Sequence, residues 1–220
     1  MEDELIKKGA EVLSKPAQEL MEKVGGSPLT ELGELFADKI RVRRYRAALR
    51  LSEKAQEIAQ ERGVDPKEVP LRTLLPILDH GANEEDDEMA DRWARLLASA
   101  ASGPEDIPPA FASILAELSP TDARMLDTVY NAAAATLKQD PTSSWEVVNM
   151  KRAELAAMLN LSLEAFDIST SNLLRLQLLL PALMRLEFIE DNEQGFMVDG
   201  HDKLRISVLG RRFVEACGDA

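Results

Sequence analysis

A single stretch, residues 81–101, constrains the fold of this chain more than any other part of its sequence, and it reads GANEEDDEMADRWARLLASAA. Gly81 can end the preceding element and Asn83 is the predicted N-cap. The acids that follow occupy a first turn whose free amides favour negative charge. Apolar residues then recur at helical spacing: Met89, Trp93, Leu96, Leu97 and Ala100. The stretch predicts an amphipathic helix whose core anchor is Trp93.

A long basic helix is predicted before this stretch. Ser27 and Pro28 can begin it, and Gly63 can end it. Its basic side chains form a stripe with spacings of four, three, four and four residues: Lys39, Arg43, Arg46, Arg50 and Lys54. A basic helix and an acidic helix therefore border the same predicted core.

The basic stripe and the acidic turn together define a candidate binding patch with two possible uses. The patch consists of Lys39, Arg43, Arg46, Arg50, Glu85, Asp86, Asp87 and Glu88. In the first interpretation, the stripe neutralises the acids inside one helical bundle. In the second, it binds phosphate groups. The first is favoured, because the neighbouring acids would offset the attraction that phosphate binding needs.

The charge balance and the cysteine content limit the class of protein. The chain has 26 basic and 39 acidic residues and a net charge of −13, which argues against a protein that coats nucleic acid as a whole. Cys217 is the only cysteine, so neither an internal disulfide nor a cysteine metal site is expected. No apolar stretch approaches the roughly 18 residues of a spanning helix, and no secretion signal is recognisable. A cytoplasmic protein is therefore predicted.

The predicted fold is mostly α-helical, with an N-terminal helical domain followed by a winged-helix-like α+β module. Residues 1–26 are predicted to form an amphipathic arm that packs or oligomerises. A helix lying on a membrane surface is the weaker alternative for this arm, because its polar face is mixed rather than basic. The helical domain is predicted over residues 27–118 and the winged-helix-like module over residues 119–220.

Local signals in the second domain follow the order of a winged helix-turn-helix. Ser119-Pro120-Thr121-Asp122 is a capping box for a helix that runs to about Lys138. A strand at 145–150 and a helix at 152–160 are predicted next. Further strands are predicted at 186–189, 196–198 and 204–208, before a closing helix.

The segment 172–184, NLLRLQLLLPALM, should contain the recognition helix of that module. Only Arg175 in it is basic, whereas a DNA-reading helix needs polar side chains directed at base edges. The module is therefore interpreted as a scaffold for protein contacts rather than for DNA reading. Its leucines exceed what one helix face can bury, which predicts a homo-oligomer unless the N-terminal arm covers them. The candidate interface is Leu173, Leu176, Leu179 and Leu180.

No catalytic, cofactor-binding or metal-binding residue is predicted. The sequence has no nucleotide loop, nucleophile elbow or zinc signature, and neither His80 nor His201 has a second ligand at metal spacing. The acids of residues 84–91 could in principle hold Mg²⁺, but consecutive helical residues project in different directions. A non-enzymatic protein without a cofactor is therefore expected.

Three successive segments carry a family resemblance. They read LTELGELFADKIRVRRYRAALRLSEKAQEIAQERG, VPLRTLLPILDHGANEEDDEMADRWARLLASAA and PPAFASILAELSPTDARMLD. They resemble the bacterial Abi-alpha (abortive infection alpha) family, and the closing LRISVLGRRFVEAC is similar to it as well. The resemblance leads us to expect a glycine where Gln177 stands. It implies a cytoplasmic bacterial protein associated with protection against phage, with no established catalytic residues.

The leading prediction is a non-catalytic phage-defence protein that acts through protein–protein binding. Its partners would be another protein or further copies of the same chain. A winged-helix transcription regulator or other nucleic-acid-binding module is the first alternative. A membrane-acting effector that uses the N-terminal arm is the second.

Overall fold

The computed structural model describes residues 39–103, 107–182, 185–188, 195–198 and 202–218. The predicted N-terminal arm and the start of the long basic helix lie outside the described residues. The chain divides into two compact units, Met1–Glu117 and Leu118–Ala220. The described residues are mostly helical, with eight helices and five short strands.

The secondary structure described in unit 1 consists of helices. Its helices are α1 (Lys39–Glu61), α2 (Leu71–Gly81), α3 (Asp87–Ser102) and α4 (Ala110–Ala116). Helix α1 packs mainly against α3, while α2 contacts α1, α3 and α4. The core between them is formed by large buried side chains, among them Leu51, Leu74, Ile77, Leu78, Trp93, Leu96, Leu97 and Leu115. Met89, Trp93, Leu96 and Leu97 of the predicted apolar stripe thus face this core.

Helix α3 begins later than the sequence predicted. The N-cap is Asp86, whose Oδ1 accepts a hydrogen bond from the Met89 amide at 3.0 Å. The carboxylate of Glu84 accepts from the Glu85 and Asp86 amides at 3.0 Å each, which keeps this segment out of the helix. Asn83 instead donates from Nδ2 to the Asp79 carbonyl. The prediction of Asn83 as the N-cap was therefore wrong, because a nearer carboxylate satisfies the first-turn amides.

Unit 2 combines helices with small sheets. In chain order it contains α5 (Pro120–Gln139), β1 (Met150–Lys151), α6 (Arg152–Leu159), α7 (Leu163–Arg175), β2 (Leu179–Pro181), β3 (Arg185–Phe188), β4 (Gly195–Val198), β5 (Lys203–Ile206) and α8 (Val208–Cys217). The predicted capping box at the start of α5 is present. Ser119 Oγ accepts from the Asp122 amide at 3.1 Å, and Asp122 Oδ2 accepts from the Ser119 amide at 2.9 Å. These reciprocal bonds fix where α5 begins.

The strands form a three-stranded antiparallel sheet in the order β1-β5-β2 and a separate β3–β4 hairpin. Leu179 pairs with Ile206 on the buried face, while Leu180 pairs with Arg205 on the other. Two predicted strands were wrong in extent. Residues 145–147 form a turn, so only Met150 and Lys151 are extended, and β5 ends at Ile206 because the next residue caps α8.

The segment 172–184 is not one helix. Helix α7 ends at Arg175, and β2 begins only four residues later. The segment therefore has more leucines than one helix face can bury because it belongs to two elements. A helix face and alternate residues of a strand can both be buried in one core. Leu173 and Leu179, two of the four candidate interface residues, are 0% exposed within unit 2. Leu176 and Leu180 are only partly buried.

Gln177 occupies the backbone conformation that glycine prefers. Its φ of 57° lies in the left-handed region, as the expected glycine would have required. The Leu178 amide donates to the Leu173 carbonyl and the Gln177 amide to the Leu174 carbonyl, both at 3.0 Å. This pair of bonds is the Schellman ending of α7 and turns the chain into β2.

Replacing Gln177 with glycine should stabilise unit 2. Relief of the left-handed strain is worth about 1–2 kcal/mol, and the added freedom of the unfolded chain removes part of that gain. We therefore expect the free energy of unfolding in urea to rise by roughly 0.5–1 kcal/mol. Asn160→Gly, at φ 50°, is the matched control and should gain less, because asparagine tolerates this conformation. A loss of stability in Gln177→Gly would contradict the argument.

Candidate functional sites: a charged groove and an exposed helix

A groove of about 1070 Å³ runs along α1 in unit 1. One wall carries the basic side chains Arg44, Arg50 and Lys54. The opposite wall carries the acids Glu84, Glu85, Asp87, Glu88 and Asp91. Small and apolar residues complete the lining, among them Ala47, Leu51, Gly81 and Ala82. The groove is therefore bipolar across its width.

Two ion pairs connect the basic helix with its acidic neighbours. The Lys54 ammonium binds the Asp91 carboxylate, and Arg44 Nη1 lies 3.7 Å from Asp79 Oδ1. Such solvent-exposed pairs add little stability. The Lys54–Asp91 pair places one cation of the basic stripe against the acidic segment, whereas Arg44 and Asp79 belong to neither set, so the use of the stripe stays a prediction.

The groove unites only part of the patch that the sequence suggested. Arg50, Glu85, Asp87 and Glu88 line it. Asp86 caps α3 instead, and Arg46 is exposed on α1 without lining the groove. The backbone of Lys39 and Arg43 belongs to α1, and their side chains lie outside the described residues. Arg44 lines the groove but was absent from the predicted patch, because it lies outside the basic stripe. Only the packing of α1 against its neighbours shows that its side chain reaches the groove.

Gly81 allows the helices beneath the groove to approach closely. A Cβ added there would lie 2.8 Å from Leu51 Cδ2 and 3.1 Å from Trp93 Cβ. Trp93 itself is 1% exposed, and its ring stacks on His80 at a centroid distance of 6.0 Å. Leu51 and Gly81, which line the groove, thus also contact the buried core around Trp93.

A second candidate surface is the outward face of α7 in unit 2. Ser162 caps the helix by accepting a hydrogen bond from the Ala165 amide at 3.2 Å. The exposed residues along the helix are Leu163, Glu164, Asp167, Ile168, Ser171 and Arg175. Leu163 is 80% exposed and Ile168 is 64% exposed. This face therefore presents apolar and acidic groups, with a single arginine at its C-terminal end.

An aromatic cluster that the sequence did not suggest lies elsewhere in unit 2. Trp145, predicted in a strand, lies in a turn and stacks on Tyr130 at 5.3 Å, while the Arg211 guanidinium lies 5.5 Å from its ring centroid. Burial raises the pKa of Tyr130, the nearby Glu215 raises it further, and Arg211 opposes the rise. The cluster anchors the 140–149 loop on α5 and α8.

The part of the chain that the structure describes contains no group of three or more His, Cys, Asp or Glu side chains placed to hold a metal ion. None of the described helices is both long enough and apolar enough to cross a membrane. The predicted membrane role of the arm concerns residues outside this part of the chain and stays a prediction.

The structure therefore defines a mainly helical protein with a small antiparallel sheet, a bipolar groove and an exposed helix. The family model described as abortive infection alpha matches residues 46–217, which is most of the chain and includes parts of both units. The chain belongs to the abortive infection alpha family. No curated protein and no solved structure matches it.

Proposed function

We propose that this protein is a cytoplasmic, non-catalytic phage-defence protein that acts by binding another protein. The family to which it belongs takes its description from abortive infection, which supports the defence role. The bipolar groove of unit 1 is the observation that supports binding to a protein. A phosphate group would meet the acidic wall and a metal ion the basic wall, whereas a protein segment can carry both charges at the spacing that the groove requires.

Unit 2 supports protein contacts rather than DNA reading. The order of three helices, a hairpin and a return strand favours a winged-helix-like arrangement, in which α7 is the recognition helix. Among the exposed residues of α7 only Arg175 offers bidentate donors for base edges, and Glu164 and Asp167 would repel phosphates. The exposed face of α7 thus suits a protein surface better than a major groove.

A nucleic-acid-binding module is the second candidate function, and the β1–β5 register favours it. Lys151 and Lys203 are directly opposite each other, and Arg205 follows on the same face of the sheet. Like charges in this arrangement are unfavourable unless an anion binds between them. We place this function second, because Glu154 lies 3.9 Å from Lys151 and offsets part of the charge.

Phage challenge of a susceptible bacterium tests the leading function. Arg50→Glu and Glu88→Lys each reverse one charge in one wall of the groove and should weaken partner binding about tenfold or more, so plaque counts should rise. Glu57→Lys, an exposed position on α1 outside the groove lining, is the matched control and should protect like the wild type. Arg50→Glu and Glu57→Lys should melt like the wild type, because exposed charges contribute little stability, whereas Glu88→Lys should lose about 1 kcal/mol because it places a cation in the first turn of α3.

The outcomes separate the parts of this proposal. Wild-type protein that gives no protection would contradict the defence role. Protection that survives both groove reversals would contradict the groove as the binding site. Salt-sensitive binding to nucleic acid that is lost in Lys203→Glu/Arg205→Glu would favour the second function instead.

A further inference from the structure

Four exposed residues form a line along the whole of α7. They are Glu164, Ile168, Ser171 and Arg175, and their spacings are four, three and four residues. Alternating three- and four-residue spacing keeps the line on one side of a helix, as in the seam of a coiled coil. The inner side of α7, including Phe166 and Leu173, is buried in the core of unit 2. The line is thus the surface that α7 offers to a partner.

The line has the same spacing when it is read from either end. Two copies of α7 in antiparallel orientation can therefore align every member, with Glu164 opposite Arg175 of the second copy and Ile168 opposite Ser171 of the second copy. The same alignment leaves Leu163, the most exposed apolar residue of α7, beside the line rather than in it. Acid then meets arginine at both ends of the pair, with Ile168 between them.

The arginine at the end of the line is held in place by its own unit. Arg175 donates from Nε at 3.2 Å and from Nη2 at 2.7 Å to Asn172 Oδ1. Asn172 in turn donates to Asp122 Oδ2 of the capping box at 3.0 Å. A guanidinium has its N–H donors in a fixed plane, so this anchoring fixes the orientation of Arg175 at the end of the line.

We propose that α7 pairs with α7 of a second copy around a two-fold axis to form an isologous dimer. A two-fold interface needs a surface that is complementary to itself, and both the charge order and the spacing of this line meet that requirement. One helix face is small for an interface, so the dimer is weak, with a dissociation constant on the order of micromolar or above. This surface replaces the predicted interface at 172–184, in which Leu173 and Leu179 belong to the core.

Sedimentation of the full chain over a series of concentrations tests the pairing. Ile168→Asp should remove the dimer. Glu164→Arg and Arg175→Glu should each raise the dissociation constant about tenfold or more, because each places like charges against each other. The double variant Glu164→Arg/Arg175→Glu should restore the dimer, since each copy again presents opposite charges at the two ends of the line.

Controls make each outcome decisive. Glu57→Arg on α1 and Lys138→Glu on α5 reverse exposed charges elsewhere and should leave the dimer unchanged. Thermal melting of every variant checks that unit 2 is folded. A monomer at all concentrations, a dimer that persists in Ile168→Asp, or a folded double variant that stays monomeric would each overturn the proposal. These measurements need no phage, so their result is independent of the groove experiment.

Discussion

Gly210→Ala should destabilise unit 2 by about 3 kcal/mol, at the upper end of the range for overpacking. A Cβ at this position would lie 2.9 Å from the Leu178 carbonyl carbon and closer still to its oxygen. Contact with backbone, rather than with the end of a flexible side chain, leaves little room for relaxation.

Hydrogen bonds fix both sides of that contact. Ser207 Oγ accepts from the Gly210 amide at 2.8 Å and donates to the Gln177 carbonyl at 2.6 Å, while the Ser207 amide donates to the Leu178 carbonyl at 3.0 Å. Moving α8 away from the α7–β2 turn would break these bonds. The methyl group added by Gly210→Ala would therefore either strain the backbone where α8 meets the α7–β2 turn or break these hydrogen bonds.

Urea unfolding followed by the fluorescence of Trp145, the only tryptophan of unit 2, measures the effect in a Trp93→Phe background. Gly63→Ala is an informative control, because an added Cβ there meets nothing within 4 Å and only the positive φ of 66° is unfavourable. It should leave the Trp145 transition unchanged, since Gly63 lies in unit 1. An unchanged midpoint in Gly210→Ala would show that the two backbone segments can separate at little cost.

Trp93→Ala should lower the stability of unit 1 by about 3–5 kcal/mol. Trp93 is among the largest fully buried side chains, and it contacts the backbone of α2 where Gly81 permits close approach. Removing the ring leaves a cavity between α2 and α3 that their mutual packing prevents from closing. The thermal transition of unit 1 should therefore move to lower temperature, as circular dichroism would show.

Trp93→Phe provides a graded comparison. The Trp93 Nε1 group is buried and has no hydrogen-bond acceptor among the described residues, so replacing the indole also removes an unsatisfied donor. The phenylalanine variant should thus lose clearly less stability than the alanine variant. Met158→Ala, at a side chain that is 63% exposed, should melt like the wild type. A Trp93→Ala protein that does the same would show that the ring is not part of the core.

Local chemistry made several features predictable from the sequence. The Ser119 capping box and the apolar stripe of α3 both depend on neighbours within a few residues, whereas the glycine-like position of Gln177 was expected from the family resemblance. The segment 172–184 was mispredicted because two elements meet there, and leucine composition alone cannot locate the end of a helix. The prediction of a strand at 145–150 was wrong because the conformation of Trp145 depends on distant residues. Its ring contacts Tyr130 and Arg211, which local sequence cannot show.

The candidate sites required the packed structure. The sequence placed Arg50 in a basic helix and Glu88 in an acidic one. Only the contact of α1 with α3 brings them to opposite walls of one groove. The line on α7 could be identified only after the helix was known to end at Arg175. Before that, Ile168 was one apolar residue among many.

The opposite walls of the groove also determine how far its electric field reaches. The three basic side chains of the lining cancel three of its five acidic charges at longer range, and salt screens what remains beyond roughly 8–10 Å. A molecule approaching unit 1 from a distance is therefore steered towards the groove less strongly than towards the single-sign clefts that accelerate capture. Recognition there is decided at contact, so variants of the walls should change the lifetime of a complex more than the rate at which it forms.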